Sequence, residues 1–300
     1  MSAAEAGALS GVPSTSGQES LVATVVRSQL TAPDREVRVA ALDGLVGLAA
    51  HGDDEARALL REVVTRYRDT DREVYTRALN RVEVFGDRGL TEPLLAALSD
   101  EDLGCQAWAA DACGRLGVQE AAPLLVGLLT HPDGMVRASA CEALGELRNA
   151  PAVGALATCV DDPSEHVRAA ASRALARIGT DAAADALWAA FLARRHPRPG
   201  YLPGALAACG PDVHARLLAA TAHADPEIRY WAARALGATG DERYDAVLSR
   251  LAADDHATTS TGARVSTGAR RGLRASLRVR ERDGEEPGQP SPPPGTATPA

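Results

Sequence analysis

Seven histidines, five cysteines and forty carboxylates are the groups through which this 300-residue chain could do acid–base, nucleophilic or metal chemistry. Their spacing does not assemble a site. His51, His131, His166, His196, His214, His223 and His256 fall mostly between helical segments, and none has another histidine three or four residues away, as helix-borne metal ligands require. No C-x-x-C occurs, and Cys105, Cys113, Cys159 and Cys209 sit at apolar helical positions, where reduced, buried thiols are expected. All 32 basic residues are arginine, which excludes a Schiff-base lysine, a P-loop lysine and a lysine general base. H-E-x-x-H, G-x-S-x-G, and glycine-rich phosphate loops in the right context are absent. The sequence therefore nominates no catalytic, cofactor-binding or metal-binding residue, and a non-enzyme is the expectation.

Recognition chemistry is better represented. Tryptophan and tyrosine at partly exposed sites make interface anchors, because one rigid side chain buries a large apolar area and keeps a polar handle. Trp188 lies just before the segment Arg194-Arg195-His196-Pro197-Arg198-Pro199-Gly200-Tyr201-Leu202-Pro203-Gly204, whose prolines and glycines cannot continue a regular helix. Irregular loops on rigid scaffolds often carry binding. Trp188, Arg194, Arg195, His196 and Tyr201, with Trp231, are the candidate partner-binding residues; the competing reading is that the aromatics fill gaps left by neighbouring alanines, or that the break is a tolerated bend.

The elements that hold these residues repeat. The clearest copies begin Val136-Arg137, Val167-Arg168 and Ile228-Arg229 and continue through Ala140, Ala171 and Ala232 to Leu144, Leu175 and Leu236. With that first residue as position 0, the register runs Val37, Val74, Cys105, Val136, Val167, Arg198, Ile228 and Val265, at spacings of 37, 31, 31, 31, 31, 30 and 37. Positions 0, +4, +7, +8 and +11 form one helical stripe, and alanine at +4 permits close helix approach. Asp34, Asp71, Asp102, Asp133, Ser164 and Asp225 at position −3 are N-caps. A second helix follows each turn, with Leu125, Leu156, Leu187, Leu218 and Leu248 as its core column. Two residues further, Ala96, Gly127, Thr158, Ala189, Ala220 and Arg250 form a solvent column almost without acid–base groups. Such a period means stacked supersecondary units: an all-α fold, an α-solenoid of about eight two-helix repeats.

Asp133…Val136-Arg137…Ala140…Ala143-Leu144-Gly145 and its counterparts resemble the HEAT-like repeat family, in the short form named after phycobilisome lyases. The resemblance covers about residues 21–282. It implies first helices on a convex side, second helices on a concave side, and Arg38, Arg137, Arg168 and Arg229 tying one unit to the next through acidic partners. It also implies a protein-interaction scaffold or adaptor, with a bilin-lyase-like or DNA alkylation-repair glycosylase-like enzyme as the alternative. The His-Glu motifs of HEAT-like di-iron hydroxylases are absent, and Trp108, Asp111, Arg148 and Trp188 only loosely suit a glycosylase.

Charge sets further bounds. The net formal charge is −8; residues 264–282 carry +6 and residues 283–300 carry −3, which leaves −11 for residues 1–263. An acidic body argues against nucleic acid as partner. The arginines from Arg264 to Arg282 suit an anion or an acidic surface. Neither a signal peptide nor a transmembrane span is visible, so a cytoplasmic protein without membrane contact is expected. Residues 1–18 and the Pro/Gly-rich 283–300 are expected to be disordered, 19–282 to form the solenoid, 194–210 an irregular unit, and 254–263 a mobile insertion.

Overall fold

The computed structural model describes residues 21–66, 71–86, 88–193, 201–253 and 264–282. The expectations for residues 1–18, 194–200, 254–263 and 283–300 lie outside the described residues. Among those described, the chain is helical with no strand, and it divides into two compact units, the first ending at Leu90 and the second beginning at Thr91.

The first unit holds α1 (Leu21–Leu30), α2 (Arg35–Ala50), α3 (Asp54–Arg66), α4 (Arg72–Leu79) and α5 (Val82–Phe85), and ends in the 3-10 turn Arg88–Leu90. Within it α2 packs on α1, α3, α4 and α5. The second unit holds α6 (Thr91–Ala97), α7 (Leu103–Leu116), α8 (Ala122–Leu128), α9 (Gly134–Glu146), α10 (Val153–Cys159), α11 (Glu165–Ile178), α12 (Asp181–Ala193), α13 (Leu202–Ala207), α14 (Pro211–Ala220), α15 (Pro226–Ala238), α16 (Asp245–Ala253) and α17 (Val265–Arg282). Here α7, α9, α11, α13, α15 and α17 pack in sequence, each on the next, and second helices fill the angles between them.

The repeat register explains this stacking. Val74, Cys105, Val136, Val167, Ile228 and Val265 at position 0 are all buried, as are Ala78, Ala109, Ala140, Ala171, Leu202, Ala232 and Ala269 at +4. Position +9 sets how closely neighbouring helices approach. A Cβ added to Gly114 would stand 2.8 Å from Ala143 Cα, and one on Gly145 would stand 2.6 Å from Ala174 Cα; on Gly237 it would collide with the Gly272 backbone. Each glycine at +9 thus seats on the small residue at +7 of the next repeat.

Helix ends follow local chemistry. Asp34, Asp71, Asp102, Asp133 and Asp225 accept a backbone N–H of the first turn, for instance Cys105 N at 2.8 Å from Asp102 Oδ1. Ser164 stands at the same position but its side chain makes no cap bond; there Asp162 Oδ1 accepts from Ser164 N instead. At the other end, position +12 is left-handed in five consecutive repeats: Gly117, Arg148, Gly179, Gly210 and Gly240.

Two register assignments change. Val37 is 39% exposed, because no repeat covers this side of α2 among the described residues; Leu42, Leu45 and Ala49 carry its burial. In α14, Leu217 is fully buried and Leu218 is 39% exposed, so the core column passes through Leu217 and the solvent column through Ala219, while Ala220 is buried. The sixth repeat, from Arg198 to Ile228, is 30 residues long rather than 31, and this causes the one-residue slip.

The linking arginines follow one scheme with variable partners. Arg137 donates to His131 O at 2.7 Å and Pro132 O at 2.9 Å, then spans both Asp162 oxygens at 2.8 and 2.9 Å. Arg38 donates to Ala32 O and Pro33 O and pairs with Asp71. Arg168 departs from the acidic scheme: besides Asp162 O and Pro163 O, its Nε donates to the Tyr201 hydroxyl at 3.0 Å. Arg229 donates to His223 O and Ala224 O.

Candidate partner-binding surface

The nominated aromatics occupy three different environments. Trp188, on α12, is part-buried, and its ring lies 5.2 Å from that of Phe191 at an interplanar angle of 31°. Phe191 is buried and packs against the part-buried indole, and Leu192 beside it is exposed. Tyr201 precedes α13; its hydroxyl holds Arg168, whose guanidinium stands 5.9 Å from the ring centroid. Burial pushes the Tyr201 phenol upward, against the opposing pull of Arg168. Tyr201 therefore replaces the acid that other repeats offer the linking arginine.

Trp231 is only 9% exposed. Its Nε1–H points to Glu227 Oε1 at 3.4 Å, Tyr230 meets it edge-on at 4.9 Å, and Arg234 stands 5.1 Å from its ring centroid. It fills interior space, so the structure separates it from the Trp188 surface. Arg194, Arg195 and His196 follow α12 directly but lie outside the described residues.

The solvent side of the second helices has little acid–base character. Ala96, Gly127, Thr158, Ala189, Ala219 and Arg250 are exposed there. Large apolar groups interrupt this surface at Leu124, Leu192 and Leu218, which the periodicity had not distinguished from core leucines. On the first-helix side, Trp108 and Met135 are exposed, and a groove of about 550 Å³ between α9 and α11 is lined by Asp133, Met135, Ser139, Glu142, Ser164 and His166. Met135 occupies position −1, where Glu36, Glu73 and Arg264 stand in other repeats.

Most charges near these surfaces are committed within the stack. Glu142 pairs with Arg173, Glu146 with Arg177 at 3.5 Å, and Asp185 with Arg216 at 2.6 Å. Burial raises Glu146, with Asp111 adding to that rise and Arg177 opposing it. In the first unit, Arg35 holds the Glu73 carboxyl down at about 2 through their hydrogen bond. Three thiols are poor nucleophiles: burial pushes Cys113 up to about 12 and raises Cys209, while a hydrogen bond to Cys159 and burial raise Cys141; the same hydrogen bond lowers Cys159 against its burial. Among the described residues no group of three or more His, Cys, Asp or Glu is arranged to hold a metal ion, and no helix is long and apolar enough to cross a membrane.

These features define a class: an all-α fold of stacked two-helix repeats. The family model for HEAT repeats matches residues 63–140, 124–198 and 204–266. The chain belongs to the HEAT-repeat family. A comparison with curated proteins returns no match. Among solved structures, an engineered protein is 25% identical over 84% of this chain and 67% of its own, with a TM-score of 0.43. A designed armadillo repeat protein in complex with the peptide (KR)4 is 23% identical over 73% of this chain and 100% of its own, with a TM-score of 0.42. The CpcE–CpcF complex of phycocyanin lyase from Nostoc is 22% identical over 93% and 100%, with a TM-score of 0.37.

Proposed function

We propose that this chain is a non-catalytic scaffold or adaptor that presents its repeat surface to a partner protein, with the contact centred on Trp188 and extending to Arg194, Arg195, His196 and Tyr201. One observation carries this reading: Trp188 is part-buried against buried Phe191 and sits next to exposed Leu192, near the end of α12 where the regular repeat stops. A rigid aromatic held in place loses little conformational freedom on binding and makes an efficient anchor. The commitment of nearby carboxylates to ion pairs, and the small solvent column of the second helices, fit contact better than proton transfer. A cytoplasmic location belongs to the same reading.

The test uses immobilised full-length chain and quantitative capture from native cell extract. Trp188→Ala together with Leu192→Ala should lose a specific captured protein, with affinity falling by about 2 kcal/mol or more. Ser249→Ala, on α16, should retain it. An unchanged captured set from the well-folded double variant sinks the Trp188 surface. Salt-sensitive capture of duplex DNA, or co-purification of a coloured small molecule, would instead favour an enzyme or lyase subunit.

A further inference from the structure

Two of the five thiols meet inside the fourth repeat. Cys141 lies on α9 and is fully buried, Cys159 is the last residue of α10 and is 5% exposed, and both are free in this structure. The Cys141 Sγ–H donates a hydrogen bond to Cys159 Sγ. Packing does not require sulfur at either place. Cys141 stands at +5 of its repeat, and Cys159 stands three residues beyond the core leucine Leu156. Other repeats carry Ala110 with Leu128, Ser172 with Ala190, and Ala233 with Leu251 at these two positions.

The pair is asymmetric. The hydrogen bond from Cys141 lowers the Cys159 thiol below its ordinary value, with burial and Asp162 opposing and Thr158 and Arg137 assisting. The same bond raises Cys141, and burial adds to the rise. Thiolate character therefore collects on Cys159, and the thiolate is the nucleophile. Cys159 is also the one of the two with surface open to solvent. Its surroundings hold their charges in place, since Arg137 spans both Asp162 oxygens at 2.8 and 2.9 Å in the turn after α10. Cys113 and Cys209 differ, because burial raises both.

We infer that Cys159 and Cys141 form a peroxide-reactive dithiol, Cys159 as the attacking thiol and Cys141 as the resolving one. Cys159 Sγ attacks one oxygen of hydrogen peroxide, the O–O bond breaks, water leaves, and Cys159 becomes a sulfenic acid. Cys141 Sγ then attacks the Cys159 sulfur. The S–O bond breaks, the Cys141 proton departs with the hydroxyl as a second water, and a disulfide joins α9 to α10. The peroxide gains the two electrons that the two thiols lose. The small opening at Cys159 suits a peroxide, whereas bulkier alkylating reagents follow exposure and meet Cys209 first. The reaction modifies the chain once and is not turnover. It does not involve Trp188 and stands or falls apart from the partner reading.

The test treats the reduced full chain with a small molar excess of hydrogen peroxide, then counts thiols in denaturant and maps cross-linked peptides by mass. The count should fall from five to three, the linked peptides should contain Cys141 and Cys159, and a dithiol reductant should restore all five. A folded Cys141→Ser chain should stop at the sulfenic acid and carry a dimedone adduct on Cys159. A folded Cys159→Ser chain should keep its remaining thiols, and Cys113→Ser should still form the Cys141–Cys159 link. Wild type that keeps five thiols, or that oxidises Cys209 or links another pair first, overturns the inference. So does a folded Cys141→Ser chain without the dimedone adduct. The wild-type map decides by itself, whether or not the serine variants fold.

Discussion

Gly145 and Ala174 meet backbone to backbone: a Cβ on Gly145 would lie 2.6 Å from Ala174 Cα and 2.8 Å from its Cβ. The contact joins α9 to α11 and reverses the usual sign of a helical glycine. An exposed helix-interior glycine replaced by alanine gains about 1 kcal/mol. Gly145→Ala should instead lose about 1–3 kcal/mol, because α9 and α11 must move apart. Gly154→Ala in α10, where nothing lies within 4 Å, should stabilise. Denaturant unfolding of both variants checks the pair, and equal signs would contradict the close-approach account.

Arg148 is the non-glycine among the left-handed +12 residues, with φ of 49°. Holding a side chain in that region costs roughly 1 kcal/mol. Arg148→Gly should therefore stabilise by about 0.5–1 kcal/mol, despite glycine's larger unfolded-state entropy. Thermal melts in parallel with Gly179→Ala, which should destabilise, read both directions of one rule.

Arg137 and Asp162 predict an acid limit. Burial works against ionisation of Asp162, but the Arg137 hydrogen bonds and Ser164 N–H hold its carboxyl below the ordinary 3.8. A folded-state value below the unfolded one stabilises above about pH 3.8, and this contribution disappears as pH falls through the folded value. Asp162→Asn should lower stability at pH 7 by about 1–3 kcal/mol and flatten the acid side of the stability–pH curve. Unfolding midpoints from pH 2 to 7 measure both effects.

Trp231 and Trp188 should separate stability from recognition. Trp231→Ala empties an interior site and should cost about 3–5 kcal/mol. Trp188→Ala should leave the unfolding transition closer to wild type while weakening partner capture. Chemical denaturation with a capture assay on the same samples tells them apart.

Cys113, pushed up to about 12 and fully buried, should carry about one thiolate in ten thousand at pH 8. Thiol reagents should reach it only on unfolding, whereas part-buried Cys209 should label first in the native protein. Mass mapping of partially labelled chain gives the order.

The sequence alone determined the repeat, its capping aspartates and the +4 alanines, because each depends on contacts between residues at fixed offsets. Periodicity carries that information directly. It also located the break after Trp188, since prolines and glycines act on their own backbone. Tertiary structure decided what offsets cannot encode. Trp108, Tyr201 and Trp231 share position +3, yet one is exposed, one holds Arg168 and one is interior, because the neighbouring helix differs in each case. Leu217 rather than Leu218 entered the core because the spacing shortened by one residue, which turns a helix by about 100°. Val37 matches the buried pattern letter for letter and is exposed, because burial belongs to the helix packed against a residue and not to the residue itself.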